Sequence, residues 1–170
     1  MIRHCISEGL IETAPVADVL QLRAKHLDAG ELLRRARRLR SLFAGTLLIN
    51  DRVDVCLAAG AQGVHLPGNR IAPAGLKRKF GMGLIVGVSC HSVDEVVRAA
   101  EEGADYVYLS PIFESTSKPG YGPLLGVGAL REAVGRVTIP VIALGGVTRA
   151  NEAMCVAAGA AGIAGISYFG

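Results

Sequence analysis

Tryptophan, long apolar runs and paired cysteines are all missing from this 170-residue chain. The four cysteines are far apart and show neither a C-x-x-C pair nor the spacing of metal ligands, which argues against disulfides and favours a reducing compartment. They are Cys5, Cys56, Cys90 and Cys155. No stretch of about 18 apolar residues is present, and the N-terminus lacks the basic-then-apolar order of a signal peptide. These absences predict a cytoplasmic protein that does not span a membrane.

A marked excess of charge is missing too. Lys and Arg number 18 against 15 Asp and Glu, which gives a net charge of +3. The densest basic cluster comprises Arg34, Arg35, Arg37, Arg38 and Arg40. Apolar residues recur through this segment at three- and four-residue steps, so the arginines fall on the outer face of an amphipathic helix. We interpret the cluster as a solvated face, and the sequence predicts no nucleic-acid partner.

Short apolar runs alternate with longer amphipathic segments along most of the chain. The runs have the continuous apolar character of strands that are buried on both faces. Predicted strands cover 19–23, 46–50, 63–66, 84–89, 106–111, 141–146 and 162–167. Predicted helices cover 29–43, 53–59, 93–102, 127–134 and 151–158. A Gly-Ala pair closes three of these helices just before a strand, which indicates a repeated βα unit and a parallel sheet.

Polar residues gather at or just after the ends of many different predicted strands. In a (β/α)8 TIM barrel all these ends meet at one mouth, whereas a doubly wound sheet would concentrate them near one switch point. We therefore predict an α/β protein with a (β/α)8 TIM barrel as a single domain over residues 1–170.

The number of strands falls short of a closed barrel. Seven strands are predicted, residues 1–18 are interpreted as a helix before the strand 19–23, and the chain ends close to the strand 162–167. The barrel is thus expected to be incomplete, with its first strand and last helix not evident. Truncation, a misplaced start and completion by a partner all stay open, as does the oligomeric state.

Seven motifs lie at the predicted strands and their ends, and they follow one another along nearly the whole chain. They are QLRAK at 21–25, LINDRVD at 48–54, GVHL at 63–66, GVSCHS at 87–92, SPIFESTSK at 110–118, IPVIALGGV at 139–147 and GIAGIS at 162–167. Together they resemble the thiamine phosphate synthase and TenI (thiazole tautomerase) superfamily. The resemblance implies an enzyme of thiamine biosynthesis that joins hydroxymethylpyrimidine diphosphate to thiazole phosphate and releases pyrophosphate.

The resemblance also implies a set of site residues. Departing pyrophosphate needs positive charge, which Arg23, Lys25 and Lys118 can supply. The double glycine that ends at Gly146 and the serine at Ser167 correspond to the phosphate-binding loops of such barrels. The implied catalytic residues are Lys118, Ser89 and His91. The implied substrate-binding residues are Gln21, Arg23, Lys25, Asn50, Ser115, Ser117, Gly146 and Ser167.

The chain departs from the synthase pattern at the metal site. Asp51 matches one of the two aspartates that the synthases carry, but Arg70 stands at the position of the second. Mg²⁺ prefers carboxylate oxygens and is repelled by a guanidinium. The resemblance therefore implies a Mg²⁺ site that is weakened to Asp51 and the phosphates of the substrate.

Two alternatives to the synthase remain from the sequence. Arg70 and His91 also fit a metal-independent, TenI-like thiazole tautomerase, in which a histidine at the position of His91 moves a proton. An incomplete barrel could instead be a non-catalytic remnant that binds thiazole phosphate. His65 is expected to line the pocket, whereas His4 has no companion in the sequence. The retained phosphate-binding residues favour the transferase.

Overall fold

The computed structural model describes residues 1–68, 71–115 and 122–166, which form a closed barrel of eight parallel strands. The strands are β1 Ile2–Ser7, β2 Val19–Leu22, β3 Thr46–Asn50, β4 Gly63–Leu66, β5 Ile85–Cys90, β6 Tyr106–Leu109, β7 Val141–Leu144 and β8 Gly162–Gly165. The helices are α1 Ala29–Leu42, α2 Val53–Ala59, α3 Pro73–Phe80, α4 Val93–Glu101, α5 Gly126–Arg136 and α6 Glu152–Ala157. Each strand pairs with the next along the chain and β8 pairs with β1, so the sheet has no free edge.

The first strand is present, and the prediction of a helix over residues 1–18 is wrong. In β1, His4 pairs in register with Val19 of β2 on one side and with Ala164 of β8 on the other. Residues 8–18 connect β1 to β2 without a helix. The barrel is therefore closed at β1, contrary to the expectation of an incomplete sheet. The last helix was expected to be missing after the strand predicted over 162–167. Residues 167–170 lie outside the described part of the chain.

Apolar side chains form separate cores inside and outside the barrel. The inner core consists of Ile6, Leu48, Tyr106, Tyr108, Ile142 and Ala164. Two further clusters fill the space between the strands and the helices. The inner cluster closes the barrel below its carboxyl end, so side chains at the strand ends surround a space that opens to one side.

Two helices begin with a side-chain cap, and α2 ends at a glycine. The Asp28 side chain accepts a hydrogen bond from the Glu31 N–H at the start of α1, and Ser92 does the same for Glu95 at α4. Gly60 ends α2 in the left-handed region, at φ 66°. The helix therefore stops there, and the chain turns at once into β4.

Candidate functional site

A cavity of about 520 Å³ opens at the carboxyl ends of the strands. Every strand contributes a lining side chain: Ile6, Gln21, Asn50, His65, Ser89, Tyr108, Leu144 and Ala164. The loops add Arg23, Lys25, His91, Ser115 and Gly146. The structure thus brings eight of the predicted site residues together around one space. Four positions singled out from the sequence, Arg70, Ser117, Lys118 and Ser167, lie outside the described residues.

Positive charge dominates the described wall of the cavity. Arg23 and Lys25 follow β2 and line the cavity, and the Arg23 backbone N–H donates to the Ser7 carbonyl at 2.8 Å. Glu114 is the single carboxylate among the described lining residues. Two cations against one carboxylate make the mouth attractive to anions.

Gln21 offers the cavity an acceptor without a partner. Its side chain is 1% exposed, and its Nε2 donates to Asn50 Oδ1 at 3.1 Å. The other amide atom, Oε1, is buried and has no hydrogen-bond partner in the described structure. Native proteins rarely leave such an atom unpaired, because its desolvation costs about 1–3 kcal/mol. A ligand N–H group at this point would satisfy it.

Ser89 is held by His65, a buried histidine that also lines the cavity. A distance of 2.8 Å separates Ser89 Oγ from His65 Nε2, and His65 Nδ1 lies 2.8 Å from the Tyr106 hydroxyl. Burial, with lesser effects of His4 and of the Arg23 charge, lowers the pKa of His65 to about 3. The imidazole is therefore neutral around pH 7 and has one N–H and one lone pair to share between its two partners.

A second buried pair was not anticipated from the sequence. His4 of β1 lies against Tyr108 of β6, with 3.0 Å between Nδ1 and the hydroxyl. Burial lowers the pKa of His4 to about 4, and the nearby Asp18 opposes that shift. The Tyr108 ring also stacks on His65, with centroids 4.1 Å apart. The alternation of Tyr106 and Tyr108 in β6, continued by Ser110 just after it, was the available indication, because such alternation places side chains on one face of a strand.

His91 has a fixed ring orientation at the end of β5. Its Nδ1 lies 2.8 Å from the Ser110 carbonyl oxygen, and its backbone N–H donates to Glu95 Oε2 at 2.6 Å. A carbonyl oxygen only accepts, so Nδ1 carries the hydrogen. In the neutral ring the lone pair is then on Nε2, the arrangement that a proton acceptor at the cavity wall needs.

The double glycine after β7 packs against the loop that follows β6. Gly145 and Gly146 have φ values of 91° and 64°, and a Cβ on Gly146 would overlap the Glu114 carbonyl oxygen. The Gly146 carbonyl accepts a hydrogen bond from Asn151 Nδ2 at 2.9 Å. Thr148, which lines the cavity beyond this turn, was not identified from the sequence. The glycines therefore allow a close loop contact that a larger residue would prevent.

Asp51 lies at the end of β3 but is not among the lining residues of the cavity. It has a φ of 58°, a left-handed conformation that aspartate tolerates better than most residues, and its N–H donates to the His65 carbonyl at 2.9 Å. Across the described residues, no group of three His, Cys, Asp or Glu side chains could hold a metal ion. The role of Asp51 as a metal ligand stays a prediction.

No helix in the described part of the chain has the length and apolar character needed to cross a membrane.

Comparisons with known proteins agree with the resemblance of the motifs. The family model described as thiamine monophosphate synthase matches residues 6–169. A thiamine-phosphate synthase of Methanoculleus marisnigri is 48% identical over 154 residues, which covers 89% of this chain and 73% of that relative. One of Methanocella arvoryzae is 43% identical, with the same coverage of both chains. Among solved structures, the thiamine phosphate pyrophosphorylase from Pyrococcus furiosus has a TM-score of 0.83 at 29% identity, and covers 98% of this chain and 85% of that one.

Proposed function

This chain belongs to the thiamine monophosphate synthase family, and we propose that its barrel cavity joins hydroxymethylpyrimidine diphosphate to thiazole phosphate and releases pyrophosphate. It is a thiamine-phosphate synthase-like transferase of thiamine biosynthesis. The observation that carries the site assignment is the convergence of Gln21, Arg23, Asn50 and Ser89 on one cavity. Residues 1–170 are proposed to act as one domain that binds both small phosphorylated substrates at this mouth.

The diphosphate is assigned to the cationic side of the cavity. Negative charge grows on pyrophosphate as its bond to the pyrimidine methylene breaks, and fixed cations stabilise that charge most where water is excluded. Arg23 and Lys25 provide such cations from the loop after β2. Lys118 is proposed to act with them on the evidence of its motif. Ser89 is proposed to donate a hydrogen bond to the leaving group.

The pyrimidine ring is assigned to the floor beside Gln21. An aminopyrimidine carries an exocyclic N–H that can donate to the unpartnered Oε1 of Gln21. Asn50 holds the Gln21 amide in that orientation through the 3.1 Å hydrogen bond. The thiazole phosphate is then assigned to the opposite wall at Gly146, with Ser115 nearby on the cavity lining.

The described residues do not by themselves make a Mg²⁺ site. Mg²⁺ demands near-octahedral oxygen ligands and is usually held by one or two carboxylates together with substrate phosphates. Asp51 is the carboxylate proposed for this role, and no step of the proposal depends on the ion. Arg70→Asp is expected to strengthen Mg²⁺ dependence, because it returns a carboxylate to the position that the resemblance assigns to one.

The direct test supplies both substrates to the purified chain, with and without Mg²⁺, and measures thiamine phosphate. Arg23→Ala should lower kcat/KM by about 10- to 100-fold, since it removes a charge-assisted contact worth about 1.5–3 kcal/mol. Arg38→Ala is the matched control, because it removes an exposed arginine of α1 that does not line the cavity. Equal losses in the two variants would contradict the assignment.

A second pair of variants separates the synthase from the tautomerase. In a synthase, Asp51→Ala should reduce coupling more than His91→Ala does. In a tautomerase, His91→Ala should reduce proton transfer on the thiazole by about 10²–10⁴-fold and Asp51→Ala should have little effect. A wild-type chain that makes no thiamine phosphate under either condition would refute the proposed function.

A further inference from the structure

The interior of the barrel contains a hydrogen-bonded series that ends at Ser89. Tyr106, His65 and Ser89 come from three neighbouring strands, β6, β4 and β5, and each of the two links measures 2.8 Å. Tyr106 is 6% exposed and His65 is 2% exposed. Ser89 and His65 line the cavity and Tyr106 does not, so the series leads from a buried residue to the place where a ligand would bind.

Gly87 makes this series possible. It lies on β5 between the other two strands, in register with His65 on one side and with Tyr106 on the other. A Cβ at Gly87 would overlap the ring and the hydroxyl of Tyr106. Because this position has no side chain, the tyrosine hydroxyl can cross β5 and reach His65.

With two partners, the neutral His65 ring can be ordered in only two ways. A neutral imidazole has one N–H, so His65 either donates to Tyr106 and accepts from Ser89, or accepts from Tyr106 and donates to Ser89. In the first order the Ser89 hydrogen is used inside the protein, and only oxygen lone pairs face the cavity. In the second order the Ser89 hydroxyl is free to donate to an anion.

We infer that Tyr106 and His65 are positioning residues that fix the Ser89 hydroxyl as a hydrogen-bond donor toward the diphosphate of the substrate. This inference rests on the proposed function, which places a diphosphate beside Ser89. An anionic ligand selects the second order, because lone pairs alone would repel it. The imidazole hydrogen must then lie on Nε2, and Tyr106 must donate to His65 Nδ1 and not to the Tyr108 hydroxyl, with which it is also hydrogen-bonded.

Tyr108 provides a matched control within the same strand. Its hydroxyl contacts His4 Nδ1, and its side chain is also hydrogen-bonded to Tyr106. Tyr108→Phe removes a competing acceptor for the Tyr106 hydrogen but leaves Tyr106 free to donate to His65. Tyr106→Phe removes the donor to His65 itself. The two substitutions are otherwise matched, because each deletes one buried hydroxyl and keeps a ring of nearly the same shape.

The first experiment reads the tautomer directly. Nitrogen-15 NMR of the histidine side chains in the full chain, saturated with pyrophosphate, should show His65 with its hydrogen on Nε2, and a His65→Gln sample assigns the signal. A hydrogen on Nδ1 in wild type overturns the inference. Tyr106→Phe should shift His65 toward the other tautomer or toward a mixture, whereas Tyr108→Phe should leave it unchanged.

The second experiment is a double-mutant cycle on pyrophosphate affinity, measured by calorimetry. Ser89→Ala should weaken binding by about 10- to 100-fold, and Tyr106→Phe by about three- to tenfold. Tyr106→Phe should have no further effect in the Ser89→Ala background, because it acts through that hydroxyl. Additive losses, or an equal loss in Tyr108→Phe, would show a merely structural role and overturn the inference.

The outcomes also separate the inference from the proposed function. A wild-type chain that binds pyrophosphate with the expected tautomer and cycle, yet makes no thiamine phosphate, refutes the proposed function alone. A chain that makes thiamine phosphate with Ser89→Ala unimpaired refutes the inference and the role proposed for Ser89, but not the synthase activity. Gly87→Ala adds an independent check, because it displaces the Tyr106 hydroxyl without removing it and should reproduce the Tyr106→Phe losses.

Discussion

The two histidines inside the barrel should make the protein sensitive to mild acid. His4 and His65 have their pKa values lowered to about 4 and about 3, mainly by burial, from the 6.5 of an unfolded chain. The unfolded state therefore binds more protons than the folded state as pH falls below 6.5. Stability is fully present above that pH and declines through the window from about 6.5 toward 4 and 3.

The expected loss is large relative to the stability of a domain. Each histidine contributes about 1.4 kcal/mol of destabilisation per pH unit below 6.5. At pH 5 the pair should therefore lower the free energy of unfolding by about 4 kcal/mol, against a total of about 5–15 kcal/mol for a typical domain. Carboxylates with ordinary pKa values stay ionised between pH 8 and pH 5, so they add little in this range.

Urea denaturation at pH 8, 6 and 5 measures this dependence. His4→Gln should reduce the difference between pH 8 and pH 5 by about half, because one buried histidine remains. His26→Gln is the matched control, since His26 is exposed and lines no part of the cavity. A free energy of unfolding that stays level from pH 8 to pH 5, or an unchanged slope in His4→Gln, would show that the interior histidines accept protons without loss of the fold.

Three further outcomes follow from the structure. Gly146→Ala should destabilise the chain and weaken phosphate binding in a thermal-shift assay, because its φ of 64° and the nearby Glu114 carbonyl leave no room for a Cβ. Gln21→Leu should raise KM for the pyrimidine substrate by about 10-fold or more in steady-state kinetics, because it removes the unpaired Oε1 and also the hydrogen bond that Nε2 donates to Asn50. Cysteine reagents should label all four buried thiols only after unfolding. Burial raises the pKa values of these thiols, to about 12 for Cys90, and so disfavours the reactive thiolate.

Strands and helices with a clear apolar pattern were predictable from the sequence. The predicted strands 46–50 and 63–66 have the bounds of β3 and β4, and the predicted helix 53–59 has the bounds of α2. Apart from the helix wrongly predicted over residues 1–18, the other predicted elements differ from the observed ones by one or two residues at their ends. Continuous apolar runs of four to six residues were reliable here because each strand is covered by the inner core on one face and by helices on the other.

The elements that were missed have weak local patterns. β1 reads IRHCIS, and its polar residues hide a strand whose His4 packs against Tyr106 and contacts the hydroxyl of Tyr108, 104 positions later. The helix α3 reads PAGLKRKF and buries only Pro73 and Leu76, so its amphipathic pattern is too sparse to recognise. In both cases the stabilising contacts come from distant parts of the chain, which a local pattern does not contain.

Strand-end residues were predictable for a simple reason, whereas the interior network was not. A polar residue directly after an apolar run is placed at the mouth by the parallel direction of the strands, so Asn50 and Ser89 could be assigned from position alone. The partners of an interior residue depend on barrel register. His65 meets Tyr106 only because Gly87 separates them in the sheet, and the register of three strands decides that contact.

The distribution of satisfied polar groups distinguishes structural from binding roles inside this barrel. The rings of His4 and His65 have hydrogen-bond partners in Tyr108, Tyr106 and Ser89, as buried polar groups require. In the described residues, the buried side-chain atom without a partner is Oε1 of Gln21, at the floor of the cavity. We therefore expect the Oε1 atom to receive a hydrogen-bond donor from the substrate. Under the proposed function, the network that holds Ser89 and the unpaired Oε1 of Gln21 have the same role, which is to fix the polarity of the groups that meet the substrate.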